Sequence, residues 1–155
     1  MKKIISLGLV VFSLLSAISS LAFGGHKEEI AVAARDRSQG ASVSEKAGTS
    51  PFFLLFDGKG QFMEVIANPY KAKAGGGEEV AEFLADKGVT IVVAGGFGGP
   101  LLISKLPPAG TAAVLPEGSG GPIVEAMKAK GIKAVFFNGS ARDGVKAVKG
   151  FLKSN

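Results

Sequence analysis

The sequence has no cysteine and no tryptophan, and only one tyrosine (Tyr70) and one histidine (His26) among 155 residues. Without cysteine there are no disulfides, no thiolate metal sites and no thiol nucleophile, whatever the redox state of the compartment. Zinc-finger, cysteine-ligated iron–sulfur and thiol-enzyme chemistries are excluded together. The lone His26 leaves no histidine-based catalytic constellation, and no nucleophile and base can be paired, so no enzyme is expected. An amino-terminal X-X-His site for Cu(II) or Ni(II) requires a chain starting directly after Phe23, a poor processing point, and an uninvolved His26 is the simpler expectation. Asp36, Glu45, Asp57 and Glu64 show no spacing that forces two carboxylates together, which leaves metal-dependent hydrolysis without a basis. No glycine-rich stretch runs on into Gly-Lys-Ser/Thr, so a nucleotide-hydrolysing phosphate loop is missing.

Two features are abundant: apolar residues at the amino terminus and glycine, with 23 of the latter. Met1-Lys2-Lys3 supplies a short positive start, and Ile4 to Ala22 carries no charge. This is the layout of a secretory signal peptide. A permanent anchor is the alternative, because the run reaches the lower limit of the roughly 17 to 25 residues that span hydrocarbon. Five serines in the run and the small residues Ala22, Gly24 and Gly25 favour cleavage, after Ala22 or Gly24. Taking residues 1–24 as the signal leaves residues 25–155, a length suited to one domain, in the periplasm or outside the cell. Loss of Lys2 and Lys3 lowers the net charge from +5 by two. That is too weak to imply a nucleic-acid partner, and no membrane contact is expected after cleavage.

Along the remaining chain, Ile30–Ala34 is a short apolar run suited to a buried strand, and Phe52–Phe56 is a second. Asp57-Gly58 is a turn pair in which Gly58 is expected to take positive φ, with Gln61–Ile66 returning as the other arm of a hairpin. Val80, Ala81, Phe83 and Leu84 recur at helical spacing over Glu78–Lys87, and Gly88 provides a left-handed stop. Val89–Ala94 is β-branched and uncharged, as expected of a central strand covered on both faces. From Leu101 to Gly121 prolines and glycines mark an excursion from the core, with a short strand at 111–115. Pro122 opens a second helix ended by Gly131, Ile132–Phe137 forms a last strand, and Ser140 caps a closing helix over Ala141–Lys153. A hairpin followed by alternating helix and strand implies a mixed sheet with helices packed against it.

The turn Gly95-Gly96-Phe97-Gly98-Gly99 stands at the carboxyl end of the central strand, where open α/β sheets bind ligands. Glycines there let backbone approach a ligand and aim N–H groups at an anion. A tight strand-to-helix connection accounts for the same residues. The polar loop Arg35–Ser50 hangs from two strand ends and can close over that edge, bringing Arg35, Arg37 and Lys46 to a negatively charged ligand. Read otherwise, it is a solvated loop. Gly75-Gly76-Gly77 is a weaker candidate, since Glu78 and Glu79 suit the helix dipole and repel a phosphate.

The series Ile30-Ala31-Val32-Ala33, Val43-Ser44-Glu45, Ser50-Pro51-Phe52-Phe53-Leu54, Phe56-Asp57, Asn68-Pro69, Ala81-Glu82-Phe83-Leu84, Gly88-Val89 and Ala94-Gly95-Gly96-Phe97-Gly98 resembles the dinitrogenase iron–molybdenum cofactor biosynthesis family, which includes NifX-like proteins and the carboxyl-terminal domain of NifB-like proteins. The resemblance covers residues 30–99 and resumes at Gly121-Pro122 through Gly131-Ile132 to about Val148. It implies a ribonuclease H-like three-layer α/β fold that carries an iron–sulfur or iron–molybdenum cluster. It also implies that Arg35, Ser44, Gly95, Gly96, Phe97 and Gly98 face the cargo. The family commonly has Ser-Glu-His-Phe-Gly in the first loop, where this chain has Ser44-Glu45-Lys46-Ala47-Gly48. A protonated lysine is not a metal ligand, so a cluster must be held by electrostatics, carboxylates and backbone amides, or is not bound.

The resulting expectation is a single exported, non-enzymatic domain that binds a metal-containing or anionic small molecule at a Gly-rich sheet edge. The alternative is a protein-interaction module that has lost cofactor binding and uses the insert at 100–121. There Leu102, Ile103, Leu106 and Leu115 face a partner.

Overall fold

A computed structural model describes residues 27–153; residues 1–24, expected to be a signal peptide, and His26 lie outside the described residues. The order is β1 (Glu29–Ala34), β2 (Phe52–Asp57), β3 (Phe62–Ala67), α1 (Gly77–Asp86), β4 (Ile91–Ala94), β5 (Ala113–Val114), α2 (Gly121–Ala129), β6 (Lys133–Phe136) and α3 (Ala141–Lys153). The strands form one mixed sheet in the order β3-β2-β1-β4-β6-β5. β1, β4 and β6 run parallel at its centre, and β2, β3 and β5 are antiparallel to their neighbours.

The uninterrupted apolar runs of β1 and β4 follow from this position, because helices cover both faces. Ala31, Ala33, Val92 and Ala94 point to one side and pack with Val80, Ala81 and Leu84 of α1 and Ile123, Val124 and Met127 of α2. Ile30, Val32, Ile91 and Val93 point to the other and pack with Ala141, Val145 and Val148 of α3. Two helices on one face and one on the other make three layers. The helix ends match their sequence signals: Gly88 and Gly131 have φ of 87° and 77°, and the Ser140 hydroxyl accepts the Asp143 N–H at 3.2 Å.

The hairpin turn corrects one expectation. Asp57 Oδ1 accepts the N–H groups of Lys59 and Gln61, both at 2.9 Å, and the positive φ falls on Gly60 at 83° instead of on Gly58. The carboxylate satisfies two backbone donors at once, which moves the tight point of the turn two residues on.

The excursion after β4 is better integrated than its composition suggests. Gly98-Gly99-Pro100 and Gly120-Gly121-Pro122 meet at its neck, where the Gly120 N–H donates to the Pro100 carbonyl at 2.8 Å. A Cβ on Gly99 would stand 2.3 Å from the Gly121 nitrogen and 2.4 Å from the Gly120 carbonyl carbon. Inside the neck, Ser119 is fully buried and its hydroxyl accepts the Leu102 N–H at 2.9 Å. β5 then pairs with β6, and the Leu115 N–H donates to the Ala134 carbonyl at 3.0 Å. Leu115, expected to face a partner, is 5% exposed and belongs to the core, and Ile103 is half-buried against the same core. Pairing with β6 turns Leu115 inward. The exposed apolar residues of the insert are Leu101, Leu102, Leu106 and Val114.

Gly99→Ala must separate two backbones at the neck and is expected to cost about 2 kcal/mol or more. Gly40→Ala, whose Cβ meets nothing within 4 Å, is expected to stay within about 0.5 kcal/mol of the parent protein. Urea midpoints of the two variants check the difference.

Candidate functional site

The first loop, residues 35–51, does not hang in solvent. It is seated across the carboxyl ends of the central strands by backbone hydrogen bonds. The Ser44 N–H donates to the Ala33 carbonyl and the Gly95 N–H donates to the Ser44 carbonyl, both at 2.8 Å. The Ala47 N–H reaches the Gly96 carbonyl at 3.0 Å and the Val43 N–H reaches the Gly139 carbonyl at 2.9 Å. Ala41, Val43, Ser44 and Ala47 are buried beneath it. The glycine turn is shaped to this seat: a Cβ on Gly96 would lie 2.3 Å from the Glu45 carbonyl oxygen, and one on Gly95 would lie 2.8 Å from Asn138 Oδ1.

A buried polar knot holds the end of the loop. Asn68, 2% exposed, donates through Nδ2 to the carbonyls of Ser50 (2.9 Å) and Gly48 (3.1 Å), and its Oδ1 accepts the Tyr70 N–H at 2.9 Å. The Ser50 hydroxyl shares its proton between the carbonyls of Phe52 at 2.8 Å and Ala34 at 3.2 Å. With these partners every buried polar atom of the knot is satisfied, so the loop is fixed and not a flap.

Beside the seated loop lies a cleft of about 270 Å³. The loop contributes Lys46 and Gly48, the segment before α1 contributes Lys73 and Gly75 to Gly77, the glycine turn contributes Phe97 and Gly98, and the start of α2 contributes Pro122 and Ile123. Gly77 lets the two helix starts approach closely, since a Cβ there would stand 2.8 Å from Ile123 Cβ. Both helices therefore turn their amino-terminal ends to the cleft, and neither has a side-chain cap. Each start carries partial positive charge. At α1 the acidic Glu78 and Glu79 offset it; the first turn of α2 has no acidic residue.

Of the residues singled out from the sequence, Lys46, Phe97 and Gly98 come together on this cleft, with Phe97 largely buried as part of its wall. Ser44, Gly95 and Gly96 stand behind them in the loop seat. Arg35 is exposed and pairs with Glu45 at 2.9 Å, and Arg37 lies over the Phe52 ring with 4.7 Å from its guanidinium carbon to the ring centroid. Sequence reading missed Lys73, whose only local signal is its place two residues before Gly75. Lys73 forms an ion pair with Glu79. The Lys73 hydrogen bond, reinforced by Glu79's own backbone N–H, holds the Glu79 carboxyl below its ordinary range, and the same pair raises Lys73. The pair is therefore intact at neutral pH and is lost as pH falls through the lowered Glu79 value.

Gly96→Ala is expected to unseat the loop at Glu45, with a loss of about 2 kcal/mol in stability and faster hydrogen exchange at the Ala47 amide. Parent-like exchange at Ala47 in a folded variant would show that the loop seat tolerates a side chain.

Comparisons with known proteins agree with this architecture. An apo structure of the orange protein from Desulfovibrio gigas superimposes with a TM-score of 0.58 at 22% identity, covering 84% of this chain and 92% of that one. The NMR structure of a Thermotoga protein of the DUF35 family, provisionally named NifB, gives 0.57 at 20% identity, covering 79% and 88%. At such identities the likeness is one of fold. No curated protein matches the sequence. Residues 28–103, from the start of β1 through the glycine turn to the neck of the insert, match the dinitrogenase iron-molybdenum cofactor family.

Proposed function

We propose that this chain is an exported, non-enzymatic carrier with a ribonuclease H-like three-layer fold, and that it binds a metal-containing, anionic small molecule in the cleft between Lys46, Lys73 and the starts of α1 and α2. The observation that carries the reading is the convergence of two lysines and two helix starts without side-chain caps on one small cleft, in a chain whose residues 28–103 match the iron-molybdenum cofactor family. Helix starts and lysines both favour negative charge, and apolar Ile123, Phe97 and Pro122 offer a dry wall to the body of the ligand.

The residues present do not fit direct metal ligation. The sequence has no thiolate and one imidazole, and among the described residues no three of histidine, cysteine, aspartate or glutamate come together. In this reading a cluster is cargo, held by charge and by backbone amides through its own peripheral anions. Ser44, Gly95 and Gly96 keep the cleft wall in place, and Lys46, Gly98 and Lys73 touch the cargo.

The test is anaerobic purification of the protein from its natural compartment, with metal and sulfide analysis, a visible spectrum and intact mass. Expected are a chain beginning at Phe23 or Gly25, stoichiometric metal at low salt, and loss of that metal at high salt or in Lys46→Gln/Lys73→Gln. A colourless, metal-free protein overturns the carrier.

A second reading is favoured by the exposure of Leu101, Leu102, Leu106 and Val114: the insert binds a protein partner. Leu102→Ser/Leu106→Ser is then expected to lower partner capture by about tenfold or more while the fold persists, as loss of an apolar anchor does. Unchanged capture, measured by cross-linking in the native compartment, removes this reading.

A further inference from the structure

Lys73 lines this cleft, and its ammonium is held by Glu79, which is not itself part of the cleft lining. Glu79 belongs to the first turn of α1, with its carboxylate on the Lys73 ammonium and accepting its own backbone N–H. It thus engages, from the first turn of the helix, a lysine that an anion in the cleft would also attract. Lys46, which also lines the cleft, makes no ion pair among the described residues. One of the two cleft lysines is therefore engaged by a tethered carboxylate and the other is not.

We infer that Glu79 is a built-in competitor for the ligand: it holds Lys73 until a multiply charged anion bridges Lys46 and Lys73 and displaces it. This rests on the anionic-cleft reading proposed above and adds a selectivity to it. A tethered carboxylate has an effective concentration in the millimolar range or above, so a monovalent anion at ordinary concentration gains little by replacing it. An anion of charge two or more recovers the lost pair by engaging Lys46 as well. Both side chains of the pair remain partly solvent-exposed, at 55% for Lys73 and 35% for Glu79, so the exchange needs no unfolding. An exposed pair is also weak enough to be displaced. Release is assisted by the same device, because Glu79 returns to Lys73 as the ligand leaves.

The test uses inorganic sulfate as a dianion probe and acetate as a monoanion probe, followed by amide shifts of Gly76, Gly98 and Lys46 in the full folded domain at low ionic strength. Glu79→Gln is expected to bind sulfate about fivefold more tightly, the scale of an exposed pair, and to respond to acetate where the parent does not. Lys73→Gln is expected to weaken sulfate binding, and Glu79→Gln is expected to bring no gain when combined with it. Equal sulfate affinity in the parent and Glu79→Gln, or a gain that survives Lys73→Gln, overturns the competitor alone. Cleft amides that stay still in every variant overturn the anionic cleft itself.

Discussion

The backbone of Ser44 is the hinge of the whole arrangement. Its N–H is bound to Ala33 at the end of β1 and its carbonyl to Gly95 at the end of β4, so one residue of the first loop is wedged between two parallel strands. Strands β1 and β4 pair directly at Ile30, Ala31 and Val32, and beyond that they part to admit the loop. Everything at this edge follows from the wedge. Gly96 must lack a side chain because the Glu45 carbonyl passes over it, Ala47 is drawn down to the Gly96 carbonyl, and the next turn of chain leaves Lys46 at the cleft. An open crevice at the ends of parallel strands is the usual ligand position in such sheets. Here the loop fills it with its own backbone, and the accessible space shifts to the helix starts on the α1 and α2 side.

The sheet that supports the wedge is protected at both margins. β3, the longer edge, has a register shift against Leu55 and Phe56 and carries the charged Glu64 near its middle. β5, the other edge, is two residues long and is followed closely by Pro116. Irregularity, charge and proline each discourage pairing with another strand. The apolar residues exposed on the insert are thus not part of an open, flat edge.

Electrostatics gives the cleft its character without any metal-ligating side chain. Two lysines and two helix starts produce positive potential in a confined space, and Glu78 and Glu79 temper it at α1 only. In the proposed reading, such a site recognises charge and shape and leaves the coordination chemistry to the ligand. The replacement of histidine by Lys46 in the first loop is consistent with that division of labour, since an ammonium contributes charge and donors but no lone pair.

Much of the fold was legible along the chain, for reasons of local physics. Apolar runs without charge marked the strands buried on both faces, Gly88 and Gly131 marked helix ends by their freedom at positive φ, and Ser140 marked a helix start by its hydroxyl. The Gly95 turn and Lys46 could also be singled out, because a glycine cluster and a lysine in a polar loop are features of sequence alone, and Lys46, Phe97 and Gly98 line one cleft. What tertiary structure decided depends on contacts between distant segments. Lys73 reaches the cleft only because α1 and α2 pack start to start at Gly77 and Ile123. The two Gly-Gly-Pro motifs acquire a purpose only when their backbones meet at the neck of the insert, and Leu115 turns inward only because β5 finds β6. Local propensity fixes which residues form an element; which side chains share a site is set by long-range packing, and no periodicity in the chain encodes it.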